Sequence, residues 1–141
     1  MPTAQDMVEE ARKWVGTPWR HQGRTRVGVD CVGLLVVCAR AIGLEVEDRT
    51  DYGQSPTNDS LLRHLSSYLT KVHNNQILPG RIGLFTENRF PCHVGIFSDV
   101  DGAPHLIHAF ARRRMVVEEP FGERSNGFRL IGVFDVSALK E

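Results

Sequence analysis

The sequence predicts an α+β domain in which an antiparallel sheet packs on a central helix, and three observations carry that prediction. The first half of the chain places apolar residues at helical spacing. The second half consists of short runs rich in Val, Ile and Phe, separated by turn-forming segments. One internal helix is apolar on every side, as a helix covered by a sheet must be. Helices followed by strands is the order of an α+β fold, whereas a parallel sheet would interleave them. At 141 residues the chain is long enough for one core and is expected to form a single domain over 1–141, without internal repeats or low-complexity tracts.

The first helix is expected over residues 4–15. Thr3 and Asp6 have capping-box spacing, Met7, Ala11, Trp14 and Val15 form one stripe, and Gly16 is a suitable stop. GTPWRHQGRTRVG, residues 16–28, is too rich in Gly, Pro and Arg for a regular element and reads as a loop that passes close to something. The second helix is expected to begin at Cys31, with Asp30 as cap, and to end before Gly43. Val32, Leu34, Leu35, Val36, Val37, Ala41 and Ile42 surround its axis, which marks it as the buried central helix. Residues 47–58 are polar punctuation, and Leu61, Leu65, Tyr68 and Val72 predict a third helix over 59–72. Five strands are then expected at 81–87, 92–98, 105–110, 114–119 and 128–134, joined by NRFP, DVDGAP and FGERSNG among the connections.

Composition narrows the function classes. Seventeen basic and 17 acidic residues cancel, so no global field draws the chain to nucleic acid or to an anionic membrane. No apolar run approaches the ~20 residues of a membrane span, so membrane insertion is not expected. The opening MPTAQDMVEEARKW is acidic and amphipathic and does not read as a secretory signal. A role outside the cytoplasm would then require a carrier.

The chemistry centres on Cys31. Free cysteines are often buried as small hydrophobes, but a thiol at a helix N-terminus has a second use. The unsatisfied N–H groups and the macrodipole favour the thiolate there, and the thiolate is the nucleophile. Cys38 is mid-helix and Cys92 is in a strand, so neither shares this placement. Cys31 and Cys38 stand seven residues apart on one helix, roughly 10 Å along its axis and beyond disulfide reach. A Cys31–Cys92 bridge stays open, although the composition suits a thiol-bearing chain from a reducing compartment.

A nucleophile needs a base, and the base needs a group to orient it. His64 and His73 have polar neighbours and read as surface residues, while His21 lies in the Arg-rich loop. His93, His105 and His108 fall on adjacent expected strands. In a hairpin His93 and His108 could face each other across the ladder, ~5 Å apart. His105 and His108, three apart, point to opposite faces, so at most one joins the site, and parity alone does not choose between them. Cys92, His93, Cys31 and His108 also suggest zinc, but the chain lacks the Cys-x-x-Cys and His-x-x-x-His pairs of structural sites. No metal or cofactor is expected. Gly23 and Gly33 read as close backbone packing, since no phosphate-binding loop pattern surrounds them.

GTPWRHQGRTRVGVDCVGL, followed by LPGRIGLF, CHVGIF and LIHAF, resembles the NlpC/P60 superfamily of papain-like cell-wall cysteine peptidases. The likeness runs over roughly residues 7–134, with four motifs in the family's order. The resemblance implies Cys31 as nucleophile, His93 as base and His108 as the third polar residue, with His105 outside the pattern. It implies a papain-like fold and a peptidoglycan stem peptide as substrate, cut at the D-glutamyl–diaminopimelate bond. Trp19, Arg20 and Asp30 are the expected substrate-binding residues, although the Asp30 carboxylate also opposes thiolate formation next door. Three positions depart from the pattern: Trp19 stands for the usual tyrosine, Val32 for the serine after the nucleophile, and Arg81 for the aspartate of Pro-Gly-Asp. The ARRR run, 111–114, reads as a solvated hairpin tip or, with Arg20, Arg24 and Arg26, as the lining of an entrance for acidic peptides. The Asp-Cys-Val-Gly-Leu form of the nucleophile motif resembles the phage-tail and gene-transfer-agent branch. That implies tail-tip or baseplate partners, synthesis in the bacterial cytoplasm, carriage in the particle tail and action at the host wall during DNA delivery. An amidase or transferase using the same triad, or a tail-tip adaptor with a vestigial site, are the rival readings.

Overall fold

Thr3 caps the first helix as its spacing predicts: its hydroxyl accepts from the Asp6 N–H at 3.1 Å, and the Asp6 carboxylate accepts from the Thr3 N–H at 3.0 Å. In the computed structural model, which describes residues 2–48, 60–66, 68–87, 89–122 and 127–136, this helix, α1, spans Ala4–Arg12. It stops short of the expected residue 15. The Trp14 and Val15 N–H groups bond to Ala11 and Arg12, three residues back, which tightens the last turn. The Gly16 N–H then bonds to the Val116 carbonyl at 2.9 Å and draws the chain onto the sheet. Met7, Ala11 and Trp14 are buried, but Val15 is 46% exposed and Val8 takes its place in the core.

Residues 16–28 contain more order than expected. Two-residue strands, β1 (Arg24–Thr25) and β2 (Gly28–Val29), pair antiparallel. Segments this short have no period to read, so only the folded chain displays them. The same stretch covers a sheet edge, with Trp19 N–H on the Arg114 carbonyl and Val116 N–H on the Thr17 carbonyl, both at 2.9 Å. Covering an edge blocks pairing with other chains.

The central helix, α2, spans Cys31–Ala41 with Asp30 as N-cap, as the sequence predicts. Leu34, Leu35, Val36 and Cys38 are at most 1% exposed, and each buried Leu or Val contributes about 1.5–3 kcal/mol. The third helix, α3, covers only Ser60–Leu65. The expectation of a helix to residue 72 is corrected: Leu69–Lys71 forms β3, which pairs with the last strand. Leu65, Tyr68 and Val72 are buried as their stripe predicts, but spacing of three and four does not distinguish a continuous helix from a helix, a turn and a strand. Most of the polar segment 47–58, the side chain of His64 and the middle of FGERSNG lie outside the described residues.

The five expected strands are all present: β4 (Ile82–Thr86), β5 (Pro91–Val100), β6 (Ala103–Phe110), β7 (Met115–Pro120) and β8 (Arg129–Val136). With β3 they form an antiparallel sheet of six strands in the order β3-β8-β4-β5-β6-β7. One face, with Leu84, Val94, Ile96 and Ile107, packs on α1 and α2. The other carries Phe85, Phe97, Leu106 and Val133, with Phe121 and Phe128 against them.

Two β-bulges lie at the level of Phe85. On one side Phe85 pairs with His93 and Thr86 with Pro91, which leaves Cys92 as the extra residue. On the other, Leu84 pairs with Gly132 and Phe85 with Leu130, leaving Ile131. A bulge reverses the alternation beyond it. Leu130 and Phe128 therefore join the face of Val133, while Ile131 packs toward the α2 side.

Candidate active site

The β5–β6 ladder runs from Val100↔Ala103 to Ile96↔Ile107 and stops there. Beyond that point β5 stays paired with β4 through Phe85↔His93, and β6 with β7 through His108↔Val117. His93 and His108 fill the space where the two strands part. Continuing the ladder's register would set His108 opposite Gly95, so the two histidines meet on a diagonal and not directly across, as the sequence suggested. Their rings nevertheless join, with His93 Nε2 and His108 Nδ1 2.7 Å apart. His105, three residues earlier on β6, is turned away and donates from Nδ1 to the Ala103 carbonyl at 3.0 Å. Strand parity thus leaves His108 in the cluster and His105 out of it.

Aromatic rings enclose the pair. His93 stacks on Phe128 with centroids 4.4 Å apart and planes 3° from parallel. His108 lies almost flat against Phe110, at 5.1 Å and 16°. Both histidines are buried. Burial first, and His108 second, hold the His93 imidazole well below its usual 6.5. Burial also lowers His108, opposed by its hydrogen bond and charge interaction with Glu119. Both rings are therefore neutral at physiological pH.

Glu119, on β7, was not singled out by any sequence signal. Its Oε1 lies 2.8 Å from His108 Nε2, and its Oε2 lies 3.4 Å from Arg113. The hairpin register would have found it: Leu106↔Glu119 puts the carboxylate diagonal to His108 on the same face. A cavity of about 10 Å³ touches His108, Glu119 and Phe128. It has room for about one water and is not a substrate cleft.

Cys31 stands half-buried at the first turn of α2, which packs on β5. Backbone N–H groups of Val94 and Val32 interact with its sulfur and favour the thiolate. They do not prevail. Burial and the Asp30 carboxylate, in that order, push the thiol up to about 12. Desolvation of the charged form thus opposes the thiolate that the helix terminus and these N–H groups favour. Among the described residues the sulfur makes no hydrogen bond to an imidazole, and all three cysteines are free. Among the described residues no cluster of His, Cys, Asp or Glu could hold a metal ion.

Asp30 is 4% exposed, and internal groups occupy both carboxylate oxygens. Oδ1 accepts from the Gly33 N–H at 2.8 Å and from Arg24 at 3.1 Å, while Oδ2 accepts from the Gln22 N–H at 2.8 Å. Arg24 in turn grips Asp48 with two bonds, at 2.9 and 3.1 Å. A carboxylate so engaged fixes the start of α2 against the 22–24 loop. Gly33 fits against the Gly23 carbonyl where any Cβ would collide, so these glycines serve backbone packing as expected. Trp19 is half-buried against the main core, and Arg20 is exposed. The ARRR run forms a short 3-10 turn, with Arg112 paired to Glu87 at 2.6 Å and Arg113 to Glu119. Arg81, at the third departure, pairs with Asp135 at 2.9 Å and joins β4 to β8.

The model of the NlpC/P60 family matches residues 16–129, a span that includes Cys31, His93, His108 and Glu119. The probable endopeptidase NlpC of Escherichia coli is 34% identical over 103 residues, covering 72% of this chain and 58% of that protein. The chain thus spans a little over half the length of that relative. Among solved structures, an NlpC/P60 family protein of Bacillus cereus superposes with a TM-score of 0.71 at 19% identity, covering 96% of this chain and 41% of that one. The NlpC/P60 domain of the peptidoglycan hydrolase SagA gives 0.63 at 21%, covering 93% and 97%. An N-acetylmuramoyl-L-alanine amidase of Bacteroides uniformis gives 0.69 at 13%, covering 95% and 98%. These structural likenesses are of fold, and the sequence matches identify the lineage. This chain belongs to the NlpC/P60 family.

Proposed function

We propose that this chain is a cysteine peptidase that hydrolyses peptidoglycan stem peptides, acting as one catalytic domain over 1–141. The observation that carries the reading is the buried His93–His108 hydrogen bond beside the helix that begins with Cys31. Family membership and the similarity to a probable endopeptidase support it. His93 Nε2 is committed to His108, so Nδ1 is the nitrogen that takes a proton from Cys31. Because the thiol and the imidazole both rest neutral, proton transfer accompanies attack: His93 acts as a general base and does not store a thiolate–imidazolium pair. Sulfur bonds to the amide carbonyl, and backbone N–H groups at the start of α2 stabilise the oxyanion. The proton returns to the leaving amine, and water then hydrolyses the thioester.

The D-glutamyl–diaminopimelate bond is the scissile bond of this reading, with Trp19 and Arg20 on the substrate side. Digestion of purified sacculi, with fragments identified by mass spectrometry, tests it. Fragments ending in D-glutamate support it; release of intact stem peptides from muramic acid indicates an amidase instead; no release at all removes the peptidase reading. The Asp-Cys-Val-Gly-Leu motif supports a place in the tail of a phage-like particle, docked to tail-tip or baseplate proteins. Particles carrying Cys31→Ala should assemble and adsorb but deliver DNA poorly through an intact wall. Normal delivery by those particles, with failed assembly when the chain is deleted, would mark it as a structural adaptor.

A further inference from the structure

We propose that Glu119 is a positioning residue that extends the Cys31–His93–His108 constellation to a fourth member and sets the proton positions on both imidazoles. The inference deepens the peptidase reading and rests on it for its catalytic consequence.

The chain of hydrogen bonds determines the tautomers in order. A carboxylate only accepts, so the 2.8 Å contact between Glu119 Oε1 and His108 Nε2 places the His108 proton on Nε2. A neutral imidazole carries one N–H, so His108 Nδ1 is then an acceptor. The 2.7 Å contact from that nitrogen to His93 Nε2 requires His93 to donate there. His93 Nδ1 is left with its lone pair, which is the state a general base needs. Without Glu119 the reverse arrangement becomes available: His108 donates from Nδ1, His93 accepts at Nε2, and His93 Nδ1 already holds a proton. That second tautomer cannot accept one from a thiol.

The surroundings favour a defined geometry. His108 is 1% exposed, and the Glu119 side chain is 18% exposed with its second oxygen toward Arg113. The titratable or charged groups facing His108 are His93 from β5, Glu119 from β7 and Arg113 from the short turn before it. When His93 becomes protonated during attack, Glu119 is the one carboxylate in hydrogen-bond contact with the pair among the described residues.

The test joins spectroscopy to kinetics. In protein labelled with ¹⁵N at histidine, two-bond imidazole correlations at pH 7.5 should show His108 and His93 both protonated at Nε2. In Glu119→Ala the two rings should populate a mixture of tautomers. In Glu119→Gln, whose amide oxygen can still accept, they should remain close to wild type. With a stem-peptide substrate, Glu119→Ala should lower kcat roughly 10- to 100-fold, the loss typical when the outer partner that orients a metal-ligating histidine is removed, with KM nearly unchanged; Glu119→Gln should fall between. Wild-type His108 protonated at Nδ1, or Glu119→Ala with unaltered tautomers and kcat, overturns the proposal. A tautomer shift in a chain that hydrolyses no stem peptide would uphold Glu119 as the positioning group and refute the peptidase reading, so the two fail separately.

Discussion

The two ends of β5 differ in how they are held, and the candidate site occupies the weaker one. From Ile96 to Val100 the strand is paired with β6. Its Ile96 is also paired with β4 and buried against α2. From Pro91 to Val94 it is paired with β4 alone, and that contact includes a bulge at Cys92. Ladder hydrogen bonds give way there to side-chain contacts: the imidazole pair, the Phe128 and Phe110 rings, and the first turn of α2. The imidazole pair lies where the β5–β6 pairing stops, while His108 still meets Glu119 across the continuous β6–β7 ladder.

Substitutions at the open end should remove chemistry while leaving the fold intact. Cys31→Ala and His93→Ala should each lower stem-peptide hydrolysis by about 10³-fold or more, with circular dichroism and Tm near wild type for Cys31→Ala. Retained turnover in either variant would break the assignment. The paired end should behave oppositely. Leu35→Ala, beneath the sheet, should cost about 2–5 kcal/mol of unfolding free energy in urea titrations, with kcat changed little at temperatures where the variant stays folded.

Acidification should distinguish the ends as well. His93 has a depressed proton affinity in the folded state. Above 6.5 it is neutral in both states and contributes nothing to the pH dependence; below 6.5 the unfolded chain binds a proton that the folded chain resists. Stability should therefore fall as pH drops through that value, by up to about 1.4 kcal/mol per pH unit for this group. His93→Gln should flatten the slope, and an unchanged slope would mean that His93 is not the buried neutral ring described.

Resting reactivity makes a finer test. Iodoacetamide labelling of Cys31 should rise with pH and show no thiolate plateau between pH 5 and 8, because the thiol is raised to about 12 at rest. A plateau with an apparent pKa near 6 would indicate a preformed ion pair, as the helix terminus alone would predict. The smallest effects are expected on β6. His108→Asn should keep part of the activity, since an amide can still accept from His93, and His105→Ala should be nearly silent because that ring bonds to Ala103 on the opposite face.

Some of this was legible in the residues themselves. The Thr3 and Asp30 caps, the all-round apolar α2 and the five period-two strands follow from local chemistry, because capping geometry and side-chain direction repeat within a few residues. Cys31 at a helix start, and His108 in preference to His105 once the family motifs are matched, came from the same short-range order. The third helix misled because Leu65, Tyr68 and Val72 satisfy a helical stripe equally well when the chain turns and enters β3 between them.

The sequence by itself determined the order of elements, the core face of each and the residue types available for nucleophile and base. Tertiary structure alone decided what surrounds them. The bulges at Cys92 and Ile131 are register events between strands far apart in sequence, and they turn Phe128 onto His93. Glu119 reaches His108 only through the β6–β7 register. The protonation state of Cys31 was likewise out of reach, since a helix terminus is a local feature and desolvation depends on everything packed around the sulfur.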